Sequence, residues 1–406
     1  MPSSTSSSKR RRAPAPKGIV TREGALPAGL RLTASDRPGQ AQPVPTRDIP
    51  KQPWGKIMIA VAATLLAGVA ALEVNARTRL GLHAGDLDNS EVAWVEERAR
   101  SENAPAAIVG DSRILFDTNL DRFQALTGVR PVQLAIHGTS ALTLLEDVAN
   151  NEHFNGLLIV GLADTMFFQP FDGYGGYVKR RNDFTTPSGR IGIEIDHMLQ
   201  RRLAFLDSNY RLSVLAHRLD DDYRPGVEGP KDDIWKVQEV GEQRQTWLWD
   251  RVEYDPWIQA RSRWAWKGFK EKFPFTPQLI AKGQARAKAA VDKIRARGGD
   301  VVFVRPPSAP QLRVNEEAQV PKAKGWEVLL SNTHSVGVHF DDLPASVQNL
   351  TLPEYSHLNR RCAIVFTDAY VRRLTELTPR LKLRADAPPP LSRADCVPGA
   401  RVASAQ

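Results

Sequence analysis

Cysteine is scarce in this chain: its 406 residues contain two, Cys362 and Cys396. Two thiols cannot build a framework of several disulfides or a cysteine-rich zinc site, so both of those protein classes are excluded. One bridge between the two cysteines remains open if this part of the chain lies in an oxidising compartment.

Net charge is almost absent from the main body. The whole chain carries a formal net charge of +9, but residues 1–56 contain eleven Lys/Arg and three Asp/Glu and so account for +8. The basic excess belongs to one end and not to a folded surface. A nucleic-acid partner, which a basic protein would first suggest, is therefore not expected.

The N-terminal region contains few large apolar side chains. Residues 1–55 are rich in Ser, Pro, Arg and Ala, a composition that cannot offset the entropy cost of ordering. We therefore expect a disordered basic tail. Residues 57–72 then run without a charge and span about 24 Å as a helix. With their flanks they predict a transmembrane signal anchor at 56–76.

Two other interpretations of this apolar segment are weaker. A cleaved signal peptide normally begins near the N-terminus, and a buried globular helix usually carries a polar face, whereas this segment offers only Thr64. The basic flank precedes the span, so the positive-inside rule places residues 1–55 in the cytosol and 77–406 on the far side. In a bacterium this describes a single-pass inner-membrane protein with a periplasmic C-terminal domain.

The body shows strands alternating with helices, a pattern typical of an α/β domain with a parallel sheet. The predicted strands are 106–109, 132–136, 157–161, 301–304 and 336–340. The predicted helices are 91–100, 120–126, 141–149, 195–215, 278–297, 322–330 and 358–377. We expect a stalk at 77–104, a domain at 105–380 with a mainly helical insertion at about 165–275, and a flexible tail at 381–406.

Two short motifs in this body can carry chemistry. Gly110-Asp111-Ser112 lies where the first strand ends and a helix begins, and ligands bind at the carboxyl ends of parallel strands. A serine there can act as a nucleophile beside backbone N–H groups, although a helix N-cap explains the same tripeptide. Glu354 precedes His357 by three residues, so it can fix the imidazole tautomer, although a surface pair has the same spacing.

Together these motifs resemble the SGNH (GDSL-type) hydrolase family over roughly residues 105–165 and 275–378. The resemblance implies a three-layer, flavodoxin-like α/β fold. It also implies Ser112 as the nucleophile and His357 as the general base. The segment EYSHLN at 354–359 looks like the DxxHLN block of the family, which makes Glu354 the carboxylate that orients His357.

The same resemblance implies the residues around the acyl group. Gly138 falls at the oxyanion glycine of the family, and Asp111 and Asp164 fall beside the binding site. Ala163 departs from the pattern, because the family places an oxyanion asparagine there. Losing one such donor typically costs ~10²–10³ in turnover. The site is therefore either a modified catalyst or a retired one.

Membrane-tethered members of this superfamily take part in O-acylation of polysaccharides such as alginate and in teichoic acid D-alanylation. This chain is similar to them in its single N-terminal span, long middle insertion and terminal HLN helix. The resemblance implies an acyltransferase or esterase acting on O-acyl groups, above all acetyl, of an envelope or exported polysaccharide. The expected partners are the membrane, that acyl-ester substrate and a multi-pass membrane acyltransferase. No cofactor or metal is expected.

The alternative function is a catalytically retired SGNH fold that acts as a binding or assembly subunit of an envelope polysaccharide complex. The tryptophans of the insertion leave a related choice open between core packing, a carbohydrate platform and a membrane-interface patch. Core packing is favoured because Trp247 and Trp249 alternate beside Trp264 and Trp266. The remaining two tryptophans of this set are Trp235 and Trp257.

Overall fold

The computed structural model describes residues 30–32, 43–45, 52–168, 178, 186–218, 236–266 and 275–396. The chain forms two compact units, residues 1–68 and 69–406. In the tail for which we expected disorder, Leu30–Leu32 (β1) pairs antiparallel with Pro43–Pro45 (β2). The other residues of 1–51 lie outside the described residues, so the expectation for them stays a prediction.

The predicted membrane anchor is a continuous helix. Trp54–Asn75 (α1) has no buried side chain, and helical structure continues through Ala76–Leu80. The 27 residues Trp54–Leu80 contain a window with a mean hydropathy of 2.3. At 1.5 Å per residue they extend about 40 Å, more than the ~30 Å hydrocarbon core. By length and composition this helix can cross a membrane.

Five parallel strands form the central sheet: Ala106–Gly110 (β3), Val132–Gln133 (β4), Leu157–Gly161 (β5), Asp300–Arg305 (β8) and Gly337–His339 (β9). Their order across the sheet is β4-β3-β5-β8-β9. Their side chains are almost continuously buried, as expected for a parallel sheet covered on both faces. The predicted α/β domain with a parallel sheet is thus confirmed.

Helices cover both faces of this sheet. Alternate side chains point to opposite faces of a strand, and Ile108 and Val109 of β3 enter two different apolar clusters. One cluster contains side chains of Ser112–Asp117 (α3), Leu120–Thr127 (α4) and Arg360–Leu377 (α14). The other contains side chains of Ala141–Ala149 (α5), Pro277–Ala296 (α11) and Trp326–Thr333 (α13).

Most predicted boundaries in the sheet domain agree with the structure. Glu91–Arg100 (α2), α5 and β5 have the predicted bounds. The second strand is shorter than predicted, although Leu134 and Ile136 still donate backbone hydrogen bonds to β3. Pro310–Gln319 (α12) was not predicted, and α13 begins four residues later than expected. Helix α14 begins at Arg360 because the Asn359 side chain caps it through the Cys362 N–H.

The insertion is mainly helical and also contains a hairpin. Its described helices are Asp164–Phe168 (α6), Pro187–Gln200 (α7), Leu212–Arg218 (α8), Arg251–Tyr254 (α9) and Pro256–Ala265 (α10). Gln238–Val240 (β6) and Thr246–Leu248 (β7) pair antiparallel. This hairpin was not predicted from the sequence. The single helix predicted at 195–215 was wrong: α7 ends at Gln200 and α8 begins at Leu212, and between them the Ala204 and Phe205 N–H groups donate to the Glu73 carboxylate instead of to helix carbonyls.

Part of the expected flexible tail packs against the domain. Cys362 in α14 and Cys396 form a disulfide, and both side chains are buried. The Leu391 N–H donates to Asp368 of α14, and Arg122 of α4 donates to the Pro389 carbonyl. These contacts hold residues 381–396, whereas 397–406 lie outside the described residues.

Helix α3 packs so closely on the end of β5 that Gly161 cannot carry a side chain. An alanine Cβ at Gly161 would collide with the side chain of Ile114 in α3. We expect Gly161→Ala to lower the free energy of unfolding by about 1–3 kcal/mol, because close packing there leaves no room for a methyl group. Thermal unfolding of the full-length chain in detergent measures this.

Gly192→Ala is the matched control, because Gly192 lies inside α7 with no atom within 4 Å of an added Cβ. Alanine there should be neutral or stabilising by up to ~1 kcal/mol. Equal effects of the two substitutions would contradict the close packing of Ile114 against Gly161.

Candidate active site

The first motif occupies the turn between β3 and α3. Gly110 ends β3 with a φ of +155°, and a Cβ there would collide with Ile114 and the Gly161 carbonyl. Only glycine therefore fits this position. The chain progresses to β4 on one side of β3 and to β5 on the other. The turn thus lies where the order of an open α/β sheet reverses, the usual place for a ligand crevice.

Asp111 fixes this turn. One of its carboxylate oxygens accepts the Arg113 N–H at 2.9 Å, and the other accepts the Ala163 N–H at 2.6 Å. Burial raises the pKa of Asp111, although the charge of Arg113 and these two N–H groups oppose the rise. Asp111 therefore caps α3 and joins it to the end of β5. Ser112, the first residue of α3, is left partly exposed at this edge.

Glu354 and His357 form the pair predicted from the second motif. His357 Nδ1 lies 2.8 Å from Glu354 Oε1, which also accepts the backbone N–H groups of Ser356 and His357. Glu354 is buried, which opposes ionisation, but the charge of His357 and these hydrogen bonds hold the pKa of Glu354 below its usual value. A carboxylate at this distance favours the tautomer with the proton on Nδ1.

The other imidazole nitrogen is left without a partner. His357 is 7% exposed, and its Nε2 atom is buried with no hydrogen bond to any described residue. The ring stacks on Phe116 with centroids 4.5 Å apart and an interplanar angle of 25°. Buried polar atoms usually have partners. A histidine that a carboxylate orients at Nδ1, and whose Nε2 has no partner among the described residues, is typical of a proton acceptor for a substrate or nucleophile.

The segment 354–358 lies along α3. The Arg113 guanidinium donates to Ser356 Oγ at 3.1 Å, and the Leu358 N–H donates to the Asp117 carboxylate at 2.9 Å. Phe116, under His357, is one helical turn beyond Ser112, and residues four apart share a helix face. The structure therefore brings His357 to the helix that Ser112 begins, without a hydrogen bond between the two side chains.

Gly138 lies at the same edge of the sheet. The Ile136 N–H donates to the Gly110 carbonyl at 3.0 Å, so Gly138 follows two residues beyond the last bond to β3. Its φ is +60°, a value that glycine adopts without strain. The preceding His137 is held neutral, because burial and the positive charges of Arg244 and His357 lower the pKa of His137 to about 4.

Two predicted site residues have other partners. The Ala163 side chain is buried and its N–H is used by Asp111. Asp164 accepts from Arg305 Nε at 3.0 Å, and burial raises the pKa of Asp164 against the opposing charge of Arg305. Neither residue presents a donor to an oxyanion at Ser112, since the Ala163 N–H is already bonded and Asp164 offers a carboxylate.

A buried charge network lies behind α3 and was not predicted from the sequence. The Glu316 carboxylate is shared by Arg113 and Arg305, and Ser308 Oγ donates to it at 2.7 Å. Burial opposes ionisation of Glu316, but the two arginine charges pull the pKa of Glu316 far below its usual value. No sequence motif identifies Glu316 as part of this network, because it is one acid in the polar helix α12.

The insertion also reaches the second motif. Trp266 Nε1 donates to Glu354 Oε2 at 2.6 Å, and Arg263 Nε donates to the Pro353 carbonyl at 2.8 Å. Trp249 is buried as core packing predicts, whereas Trp257 and Trp264 are 56% and 50% exposed. Trp235 lies outside the described residues.

Comparisons with protein-family models, curated proteins and solved structures gave no match. Within the described ranges, no group of three or more His, Cys, Asp or Glu side chains is arranged to hold a metal ion. The function is therefore inferred from the geometry of Ser112, Glu354 and His357.

Asp117 gives this site a measurable pH dependence. Burial raises the pKa of Asp117 well above its usual value, against the Leu358 N–H and the Arg113 charge. The folded chain thus keeps a proton that the unfolded chain loses near pH ~4, so this group costs stability as the pH rises. Asp117→Asn cannot ionise, and its free energy of unfolding relative to wild type should increase from pH 4 to pH 8.

Denaturant titrations of the full-length chain at several pH values measure this difference. Asp292→Asn, at an exposed position of α11, is the control and should show no such trend. A difference between Asp117→Asn and wild type that stays constant with pH would show that Asp117 does not keep its proton.

Proposed function

We propose that this chain is a single-pass, periplasm-facing SGNH-type protein that transfers or removes acyl groups, acetyl above all, on an envelope or exported polysaccharide. One observation carries the proposal: Glu354 orients His357, whose buried Nε2 has no partner among the described residues, against the helix that begins with Ser112. A buried polar atom without a partner requires an explanation, and a catalytic role is one such explanation.

The proposed reaction begins with attack of Ser112 Oγ on the acyl carbonyl while His357 Nε2 takes the hydroxyl proton. Glu354 stabilises the resulting imidazolium. The carbon–oxygen bond to the donor then breaks, and the leaving oxygen receives the proton from His357. A sugar hydroxyl or water attacks the acyl-serine, gives its proton to His357, and Ser112 recovers that proton as the product leaves.

The backbone supplies the proposed oxyanion donors. The Ser112 N–H lies in the first turn of α3, where helix N–H groups lack intrahelical partners, and Gly138 stands at the neighbouring strand end. Ala163 offers no side-chain donor. The structure shows no hydrogen bond between Ser112 and His357; in many apo sites, catalytic hydrogen bonds tighten only with substrate.

The fold supports the family assignment. Counted within the sheet, the strand order is 2-1-3-4-5, which is that of flavodoxin-like doubly wound folds. Ser112 follows the first strand, and His357 precedes the last helix. This order of elements agrees with the SGNH arrangement that the motifs imply. A multi-pass acyltransferase as partner remains part of the proposal by analogy.

The disulfide supports the proposed compartment. Cys362 and Cys396 are joined, and disulfides persist in the periplasm but are rare in the cytosol. Together with α1 and the basic residues ahead of it, this favours a body outside the cytosol.

This orientation predicts that both thiols are protected in cells. When membranes are denatured in the presence of an alkylating reagent, mass spectrometry should find Cys362 and Cys396 unmodified. If the protein is reduced first, both cysteines should be fully alkylated. A chain that lacks residues 1–76 stays in the cytosol and serves as the control. Both of its thiols should be alkylated without prior reduction. Alkylation of the full-length chain before reduction would place the body in the cytosol.

Ser112→Ala tests the nucleophile. The full-length wild type should react with a fluorophosphonate probe and hydrolyse an aryl acetate, because His357 activates the serine; Ser112→Ala should lose both activities by at least ~10³-fold. Ser188→Ala, at an exposed position in the first turn of α7, is the matched control. Equal signals from wild type and Ser112→Ala would remove Ser112 from the mechanism.

The binding-subunit alternative is favoured by one observation, the use of the Ala163 N–H by Asp111. Under that alternative, Ser112→Ala keeps polysaccharide modification in cells at the wild-type level. Replacement of the exposed Trp257 and Trp264 by serine then abolishes it. The opposite result supports the catalytic proposal.

A further inference from the structure

The carboxylate of Glu354 is held at both oxygens, but by different parts of the chain. Oε1 accepts from His357 Nδ1 and from two backbone N–H groups of its own loop. Oε2 accepts from Trp266 Nε1 at 2.6 Å. The terminal torsion of a glutamate is soft, so bonds to Oε1 alone leave the carboxylate plane free to turn. The Trp266 bond fixes that plane.

Trp266 also lies beside the imidazole itself. Its ring centroid is 6.0 Å from that of His357, with an interplanar angle of 54°. Phe116 stacks on the same imidazole with centroids 4.5 Å apart. The imidazole thus contacts two aromatic rings and is bonded at Nδ1, while Nε2 has no partner among the described residues.

Helix α10, which ends at Ala265, also contacts the loop that carries Glu354 and His357. Arg263 of α10 donates to the Pro353 carbonyl, and its guanidinium lies 4.8 Å from the centroid of the Tyr355 ring. Tyr355 has a φ of +81°, a conformation that strains the backbone of a non-glycine residue. Contacts from α10 thus accompany a strained backbone directly between Glu354 and His357.

We propose that Trp266 is a positioning residue for the His357–Glu354 pair, and that the insertion supplies through it the orientation of the general base. This inference rests on the proposed function of the same site. It assigns the 253–266 segment a task at the reaction centre, since Glu253 also accepts from the Asn359 side chain at 2.7 Å.

Trp266→Phe removes the N–H donor and keeps an aromatic ring. In the full-length chain, kcat for aryl acetate hydrolysis should fall about tenfold, because a hydrogen bond to a charged group is lost, while KM changes less than twofold. Trp247→Phe, which removes an N–H donor to Glu239 in the β6–β7 hairpin, is the matched control and should leave both constants unchanged. Thermal midpoints show whether either variant is destabilised.

A spectroscopic arm reports the position of the imidazole without turnover. Histidine labelled with ¹⁵N at both ring nitrogens, assigned by the loss of one signal pair in His357→Asn, should show the Nδ1–H tautomer of His357 in wild type and Trp247→Phe. Trp266→Phe should shift both ring signals toward the average of the two tautomers. In a Glu354→Gln background, Trp266→Phe should add no further loss of kcat, because the pair acts as a unit.

The two arms separate the inference from the proposed function. A wild type without hydrolysis or probe labelling, but with tautomer signals that depend on Trp266, rejects the esterase or transferase function and keeps the positioning role. An active wild type whose kcat and ¹⁵N signals are unchanged by Trp266→Phe overturns the inference. A loss of kcat with unchanged ring signals overturns it as well, since a general structural effect then explains the loss.

Discussion

The hydrogen bond from the Ala163 N–H to Asp111 is the constraint around which this end of the sheet is organised. It joins the carboxyl ends of β3 and β5, on which Ile114 of α3 packs so closely that Gly110 and Gly161 admit no Cβ. Asp111 also caps α3. Ser112 therefore starts its helix at a fixed point on the crevice edge, and two residues of the Gly-Asp-Ser tripeptide are explained by structure alone.

A second layer of constraint comes from charges buried behind α3. Arg113 bonds to Ser356 and pairs with Glu316, while Glu316 also binds Arg305. Unpaired buried charges are costly, so these side chains fix one another. The loop that carries His357 is consequently tied to the helix that carries Ser112 by a network which itself takes no part in the proposed proton transfer.

Sequence periodicity was sufficient for the sheet domain and for the pair Glu354–His357. The strands are continuous apolar runs, and the three-residue spacing of an acid and a histidine before a capped helix leaves little freedom. The roles of Glu316 and Trp266 could not be predicted, because each contacts the site across more than 40 residues of chain and neither belongs to a local pattern. The segment between α7 and α8 shows the other limit: its Ala204 and Phe205 N–H groups bond to the distant Glu73 carboxylate, a contact that apolar spacing cannot predict.

The same Asp111 bond limits the chemistry open to Ser112. It consumes the Ala163 N–H, and the alanine side chain offers nothing in its place, so the proposed oxyanion site depends on backbone N–H groups of Ser112 and Gly138. Each missing donor raises the barrier by about 3–4 kcal/mol. A site with fewer donors suits an acyl donor more reactive than an alkyl ester, because a better leaving group lowers the same barrier. Within the proposed function, the lost donor thus favours an activated acyl donor over a stable sugar ester in the step that acylates Ser112.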